Sequence, residues 1–128
     1  MADSSPPSRP CLLLVEDDAP LAEAVRANLE SDYEVEIAGT VEEATLLLAT
    51  RRYAAILSDH MLPGEKQGLD FLIEALERQP TAKRILMTGY LNPDLIGRSV
   101  ALAQLSACLI KPVPMARLRQ ELHLALAS

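Results

Sequence analysis

The stretch ILSDHMLPG, residues 56–64, combines an apolar run, a carboxylate and a Pro-Gly turn. Residues 54–57 are predicted to form a short strand buried on both faces, and Pro63 and Gly64 prevent the chain from continuing as strand or helix. Asp59 is therefore expected at the carboxyl end of a buried strand, where ligands and chemistry collect in open α/β sheets. Without further acids nearby, the simpler interpretation is that Asp59 caps a turn.

Composition limits the class of protein. A chain of 128 residues with 49% hydrophobic content predicts one globular domain. A formal charge of −6 has the same sign as the phosphates of nucleic acid, so direct nucleic-acid binding is not expected. No run approaches the roughly 18 apolar residues of a membrane span, and residues 1–10 lack a signal-peptide core. A cytoplasmic protein without a membrane segment is expected.

Residues 1–10 are rich in Ser and Pro and are predicted to be a disordered tail or linker preceding one domain over residues 11–128. Cys11 and Cys108 lie in apolar, strand-like runs, where a cysteine usually behaves as a small buried hydrophobe. Two distant cysteines support neither a disulfide framework nor a zinc site.

Five apolar runs alternate with five amphipathic segments along the chain. The predicted strands are residues 12–15, 33–37, 54–57, 85–87 and 107–110. This alternation predicts an α/β domain, a doubly wound five-stranded parallel sheet with helices on both faces. Only the second run alternates apolar with charged residues, which indicates an edge strand.

Polar residues follow four of these strands. Glu16 and Asp17 come after the first, Asp59 after the third, Thr88 after the fourth and Lys111 after the fifth. Because the carboxyl ends of parallel strands share one edge, these side chains are expected to converge there. Taken singly, the acids are often only solvated, a threonine at a strand end often caps a helix, and a lysine is usually on the surface. Polar residues at four strand ends in this order are improbable as a coincidence.

The expected cluster has a chemical interpretation. A few carboxylates with positions left open to water and phosphate suit Mg²⁺, which also relieves their mutual repulsion. Asp59 could then be a nucleophile toward phosphorus, while Lys111 neutralises phosphoryl charge. Thr88 could donate to a phosphoryl oxygen, and Gly89 leaves room beside it. The bond before Pro112 is a candidate cis peptide that would fix how the lysine is presented.

These residues resemble the receiver domain of two-component response regulators, from Cys11 to about Ala127. The matching segments are residues 15–17, Asp59, residues 62–64, residues 87–89 and residues 111–112. The resemblance implies a flavodoxin-like sheet of order 2-1-3-4-5.

The resemblance also implies a reaction, in which Asp59 accepts a phosphoryl group from the phosphohistidine of a histidine kinase or histidine phosphotransfer protein. It implies Mg²⁺ held by Glu16, Asp17, Asp59 and the backbone carbonyl of Met61. Phosphorylation would draw Thr88 inward and change the surface offered to an unknown downstream protein. Such a domain is no enzyme beyond its own phosphorylation and dephosphorylation. A homodimer through the face of the fourth and fifth helices is a further expectation.

The sequence departs from the family pattern in three places. Cys108 occupies the position of the usual aromatic switch residue, and Tyr90 is the candidate substitute. The loop before Gly68 is one residue longer than usual, a feature of receivers attached to hybrid histidine kinases. The chain ends after the fifth predicted helix, so we expect either readout by protein contact or a receiver excised from a larger protein.

Two other interpretations compete with a phosphorylated receiver. A haloacid-dehalogenase-like phosphatase needs a second acid two residues after its nucleophile, and Met61 occupies that position. A pseudo-receiver that binds partners without being phosphorylated is the second-ranked alternative.

Overall fold

The computed structural model describes residues 9–89 and 92–128. Residues 1–8 of the expected tail over residues 1–10, and Tyr90, lie outside the described residues. The strands are β1 (Cys11–Val15), β2 (Glu34–Ala38), β3 (Ala55–Asp59), β4 (Lys83–Thr88) and β5 (Ala107–Ile110). The helices are α1 (Ala19–Leu29), α2 (Val41–Thr50), α3 (Gly68–Arg78), α4 (Pro93–Ala103) and α5 (Met115–Ala127).

The five strands form one parallel sheet of order β2-β1-β3-β4-β5, which confirms the predicted α/β fold. The alternating β2 lies at an edge, as its pattern indicates. The central β3 is buried along its whole length, and it extends to Asp59 itself rather than ending at Leu57. Asp59 is thus the last residue of a strand that has a hydrogen-bonded neighbour on each side.

Alternate residues of the strands build two apolar layers. On one face, Leu13, Ile56 and Leu86 pack with α2, α3 and the end of α4. On the other face, Leu12 and Leu57 belong to the layer that α1 and α5 cover. Because a strand exposes successive side chains to opposite faces, a continuous apolar run is what a sheet covered on both sides requires.

The helices begin where polar side chains satisfy their first amide groups. Asp18 accepts from Leu21 N at 3.1 Å, Thr40 accepts from Glu43 N at 3.1 Å, and Asn92 accepts from Asp94 N at 3.0 Å. These bonds satisfy amides that have no partner within a helix. Within residues 9–89 and 92–128, no helix is long and apolar enough to cross a membrane.

The end of α4 is stabilised by a buried cation that no sequence pattern predicts. Arg84 is only 6% exposed, and it donates to the carbonyl oxygens of Ala103 (2.8 Å), Gln104 (3.2 Å) and Ala82. Burial lowers the pKa of this guanidinium from its usual value. Carbonyls at a helix C-terminus carry partial negative charge, so they compensate for the loss of hydration. Arg84 therefore ties β4 to the end of α4.

Gln104 follows α4 in the left-handed region, with φ of +48°. A side chain is disfavoured there and glycine is not. Gln104→Gly is therefore expected to raise the free energy of unfolding by about 1 kcal/mol. The measurement is the urea unfolding midpoint. Gln120→Gly, in the exposed middle of α5, is the control and should lower stability by about 1 kcal/mol. Loss of stability in both variants would contradict the conformational argument.

Candidate functional site

Backbone hydrogen bonds continue past the strand ends and fix the residues that follow them. Glu16 N donates to Ala38 O at 3.0 Å, and Lys111 N donates to Thr88 O at 2.8 Å. His60 N likewise donates to Met87 O at 2.9 Å. The residues after β1, β3 and β5 therefore remain in the sheet, which holds Glu16 and Lys111 beside Asp59 at its carboxyl edge.

Lys111 lies between two buried carboxylates. Its Nζ is 2.9 Å from Glu16 Oε1 and 3.2 Å from Asp59 Oδ1. Glu16 is 3% exposed and Asp59 is 7% exposed, whereas Lys111 is half-buried. The amide of Asp18 also donates to Glu16 Oε2, at 3.3 Å. The lysine expected to contact a phosphoryl group thus already neutralises part of the charge of the acidic cluster.

Burial and neighbouring charges both shift the pKa values of Glu16 and Lys111. Burial raises the pKa of Glu16, as does the charge of Asp59, and the hydrogen bond from Lys111 only partly offsets these effects. Burial by itself would lower the pKa of Lys111, but its contacts with Glu16 and Asp59 outweigh that effect and raise it. Lys111 therefore stays charged at neutral pH.

The acidic residues fit a hard divalent cation. Glu16, Asp17 and Asp59 each offer a carboxylate oxygen, and these oxygens lie within 4.8 Å of one another. Asp17 is exposed, so the cluster is open to solvent on one side. One ammonium beside three carboxylates leaves an excess of negative charge. A divalent cation that prefers oxygen ligands and retains water, such as Mg²⁺, suits this arrangement.

The remaining predicted residues surround this cluster at the same edge of the sheet. Thr88 is buried as the last residue of β4, next to β3, and Gly89 follows it directly. The Lys111–Pro112 peptide bond is cis. Met61, whose carbonyl is an expected metal ligand, has an exposed side chain two residues after Asp59.

Gly68 allows α3 to begin directly against β3. A Cβ atom at this position would overlap the carbonyl oxygen of Asp59, and it would lie 2.8 Å from the carbonyl carbon and 2.9 Å from Ser58 Oγ. The amide of Gly68 also donates to His60 O at 2.9 Å. Only glycine fits this close approach, so it helps to define the position of the Asp59 backbone.

One expectation needs correction: Cys11 and Cys108 were expected to be buried, but both are only half-buried, since each lies in a strand with part of its surface open. Burial still raises the pKa of both thiols. His60, the residue after Asp59, is also half-buried; its amide pairs with β4, and its Nδ1 is buried without a hydrogen-bond partner among the described residues.

Sequence comparison identifies the family. The sequence pattern of the response regulator receiver domain matches residues 12–123. The chain belongs to this receiver domain family. A similar curated protein is the hydrogenase transcriptional regulatory protein HoxA of Cupriavidus necator, with 32% identity over 101 residues, covering 79% of this chain and 21% of HoxA. The receiver domain therefore spans about a fifth of the length of that relative.

Solved structures give the same result. A CheY-like response regulator receiver domain protein from Methanospirillum hungatei JF-1 is 29% identical, with a TM-score of 0.87 and coverage of 94% of this chain and 95% of that one. The receiver domain of an HD domain-containing protein from Pseudomonas fluorescens Pf-5 is 28% identical, with a TM-score of 0.87 and coverage of 93% and 95%. This receiver domain is thus a signalling module of two-component systems.

The close packing of Gly68 on Asp59 can be tested by adding one methyl group. Gly68→Ala is expected to lower the free energy of unfolding by about 3 kcal/mol, the upper end of the usual range for overpacking. The measurement is the denaturant unfolding midpoint. Gly97→Ala is the matched control, because its Cβ would meet nothing within 4 Å, and it should gain about 0.8 kcal/mol from helix propensity. A Gly68→Ala variant as stable as the wild type would contradict the geometry.

Proposed function

We propose that this receiver domain accepts a phosphoryl group on Asp59 from a phosphohistidine, with Mg²⁺, and that this changes the surface it offers to other proteins in the cytoplasm. The observation that carries the proposal is the contact of Lys111 with Asp59, beside two further carboxylates at one edge of the sheet. A carboxylate nucleophile, a fixed cation and oxygen ligands for a metal are what phosphoryl transfer requires.

In the proposed reaction, a carboxylate oxygen of Asp59 attacks phosphorus and the phosphorus–nitrogen bond of the phosphohistidine breaks. The bond electrons return to the imidazole. Mg²⁺, when bound, would neutralise charge on the transferred oxygens, and Glu16, Asp17, Asp59 and the Met61 carbonyl would hold it. Lys111 would neutralise a further oxygen, because its Nζ already lies 3.2 Å from Asp59 Oδ1.

The phosphodonor is proposed to dock beside the acidic cluster, between α1 and α5. A cavity of about 340 Å³ opens there, and Leu21, Val25, Pro112 and Val113 are among its mainly apolar lining residues. Leu21 is 40% exposed. Since Glu16 and Lys111 also line this cavity, an apolar contact in it would bring a donor histidine close to the phosphoacceptor.

The response to phosphorylation is proposed to pass from Thr88 to the surface of α4, β5 and α5. Cys108 lies in β5 opposite Leu86 of β4, at the position of the usual aromatic. Exposed apolar side chains occur on α4 (Val100, Leu102) and α5 (Leu124). We propose this surface for a downstream protein or a homodimer.

The proposal is tested with a small-molecule phosphodonor such as phosphoramidate. The wild-type chain is expected to gain one phosphoryl group in the presence of Mg²⁺ and far less with EDTA, as measured by intact-mass spectrometry. Asp59→Asn should gain none, because an amide is not a nucleophile toward phosphorus. Asp32→Asn, which changes an exposed acid in the turn after α1, is the control and should behave like the wild type.

Two outcomes would contradict the proposal. Phosphorylation of Asp59→Asn to the wild-type extent would place the phosphoryl group on another residue. No phosphorylation of the folded wild type with Mg²⁺ would favour the pseudo-receiver, in which the same surface binds partners without this modification.

A further inference from the structure

The loop between β3 and α3 is held by one side chain. Gln67, the last residue before α3, is half-buried and bonds across the loop with both ends of its amide. Its Oε1 accepts from Leu62 N at 3.0 Å, and its Nε2 donates to Gly64 O at 3.3 Å. The backbone amide of Gln67 donates separately to Asp70 Oδ2, at 2.9 Å, at the start of α3. The side chain thus closes a small ring over residues 62–67.

The bond to Leu62 N also determines the direction of the preceding carbonyl. Leu62 N and the carbonyl of Met61 belong to the same planar peptide unit. This unit is trans, since the cis peptide bond among the described residues is at Lys111–Pro112. In a trans peptide, the N–H and C=O bonds point in opposite directions. Because the N–H of this unit points to Gln67, the carbonyl oxygen of Met61 points away from Gln67.

We infer that Gln67 is a positioning residue for Mg²⁺, acting through the Met61–Leu62 peptide unit whose carbonyl is an expected metal ligand. The inference rests on the proposed function, since it concerns the same metal site. Asp59 and Glu16 are held by the sheet and by Lys111, whereas Met61 lies in a loop and has an exposed side chain. The side-chain amide of Gln67 gives Met61 the constraint that the sheet gives to Asp59 and Glu16.

Mg²⁺ is the ion that should depend on this constraint. It requires near-ideal octahedral geometry, whereas Ca²⁺ accepts irregular coordination by more oxygen ligands. Removal of a group that orients a metal ligand typically costs 10–100-fold in metal affinity. A loosened Met61 carbonyl should therefore weaken binding of Mg²⁺ more than binding of Ca²⁺.

The test measures Mg²⁺ and Ca²⁺ dissociation constants of the whole chain by titration calorimetry. Gln67→Met keeps the length of the side chain but removes its amide. It is expected to bind Mg²⁺ about tenfold more weakly, with a smaller loss for Ca²⁺. An unchanged Mg²⁺ affinity, or equal losses for the two ions, would overturn the inference.

Asp70→Ala is the matched control. It removes the carboxylate that accepts from the backbone amide of Gln67 at the start of α3. The hydrogen bond from Leu62 N to the Gln67 side chain stays in place. Its Mg²⁺ affinity should stay within about twofold of the wild type, below the usual effect of losing an orienting group. An equal loss in both variants would assign the effect to a loosened α3 and overturn the inference.

A measurement on the wild type keeps the inference testable if Gln67→Met does not fold. Addition of Mg²⁺ should shift the Met61 carbonyl carbon resonance, and the Leu62 amide should be protected from hydrogen exchange before Mg²⁺ is added. Rapid hydrogen exchange at the Leu62 amide would overturn the inference about Gln67 and leave the proposed function untouched. No binding of Mg²⁺ by the wild type would overturn the metal-dependent proposed function as well, so the two failures are distinguishable.

Discussion

The ion pair of Lys111 with Glu16 and Asp59 is the interaction on which the carboxyl edge of the sheet depends. Three carboxylates within 4.8 Å repel one another, and two of them are almost fully buried. A buried carboxylate without a counter-charge is costly, because it loses its hydration. The ammonium group neutralises part of this charge, and the remainder favours a divalent cation. Folding therefore leaves Asp59, the proposed phosphoacceptor, in contact with a fixed positive charge.

The rest of the fold serves to hold these groups in place. Ladder hydrogen bonds continue beyond the strand ends at Glu16, His60 and Lys111, so the site is an extension of the sheet rather than a set of free loops. Gly68 lets α3 contact the backbone of Asp59, and Gln67 closes the loop that carries Met61. Rigid backbone around a nucleophile reduces the reorganisation needed when charge develops during phosphoryl transfer.

The sequence was sufficient to predict the strands, the edge position of β2 and the convergence of acids, threonine and lysine, because each follows from hydrophobic periodicity and parallel topology. It did not predict the roles of Arg84 and Gln67. Both act through hydrogen bonds to backbone groups that are distant in sequence or across a loop, and no periodicity marks such contacts. The pairing of the His60 amide with β4 has no sequence signal either, since only the strand register shows it.

Cys108 raises the main mechanistic question about this receiver domain. A small thiol in β5 cannot fill the volume of an aromatic ring, so the proposed response of α4 and α5 has to use other contacts. The hydrogen bonds from Arg84 to the end of α4 are one such link. Such a response is a shift between two packings, and it requires that the phosphorylated site interact differently with each.

The most direct measurement is a two-dimensional amide NMR spectrum with Mg²⁺, recorded before and after addition of beryllofluoride, which mimics an aspartyl phosphate. We expect shifts at Asp59, Thr88 and Lys111 that spread through β5 to Cys108 and the end of α4. Shifts confined to the acidic cluster would contradict signalling through the surface of α4, β5 and α5. An unchanged spectrum with Mg²⁺ bound would contradict the assignment of Asp59 as a phosphoacceptor.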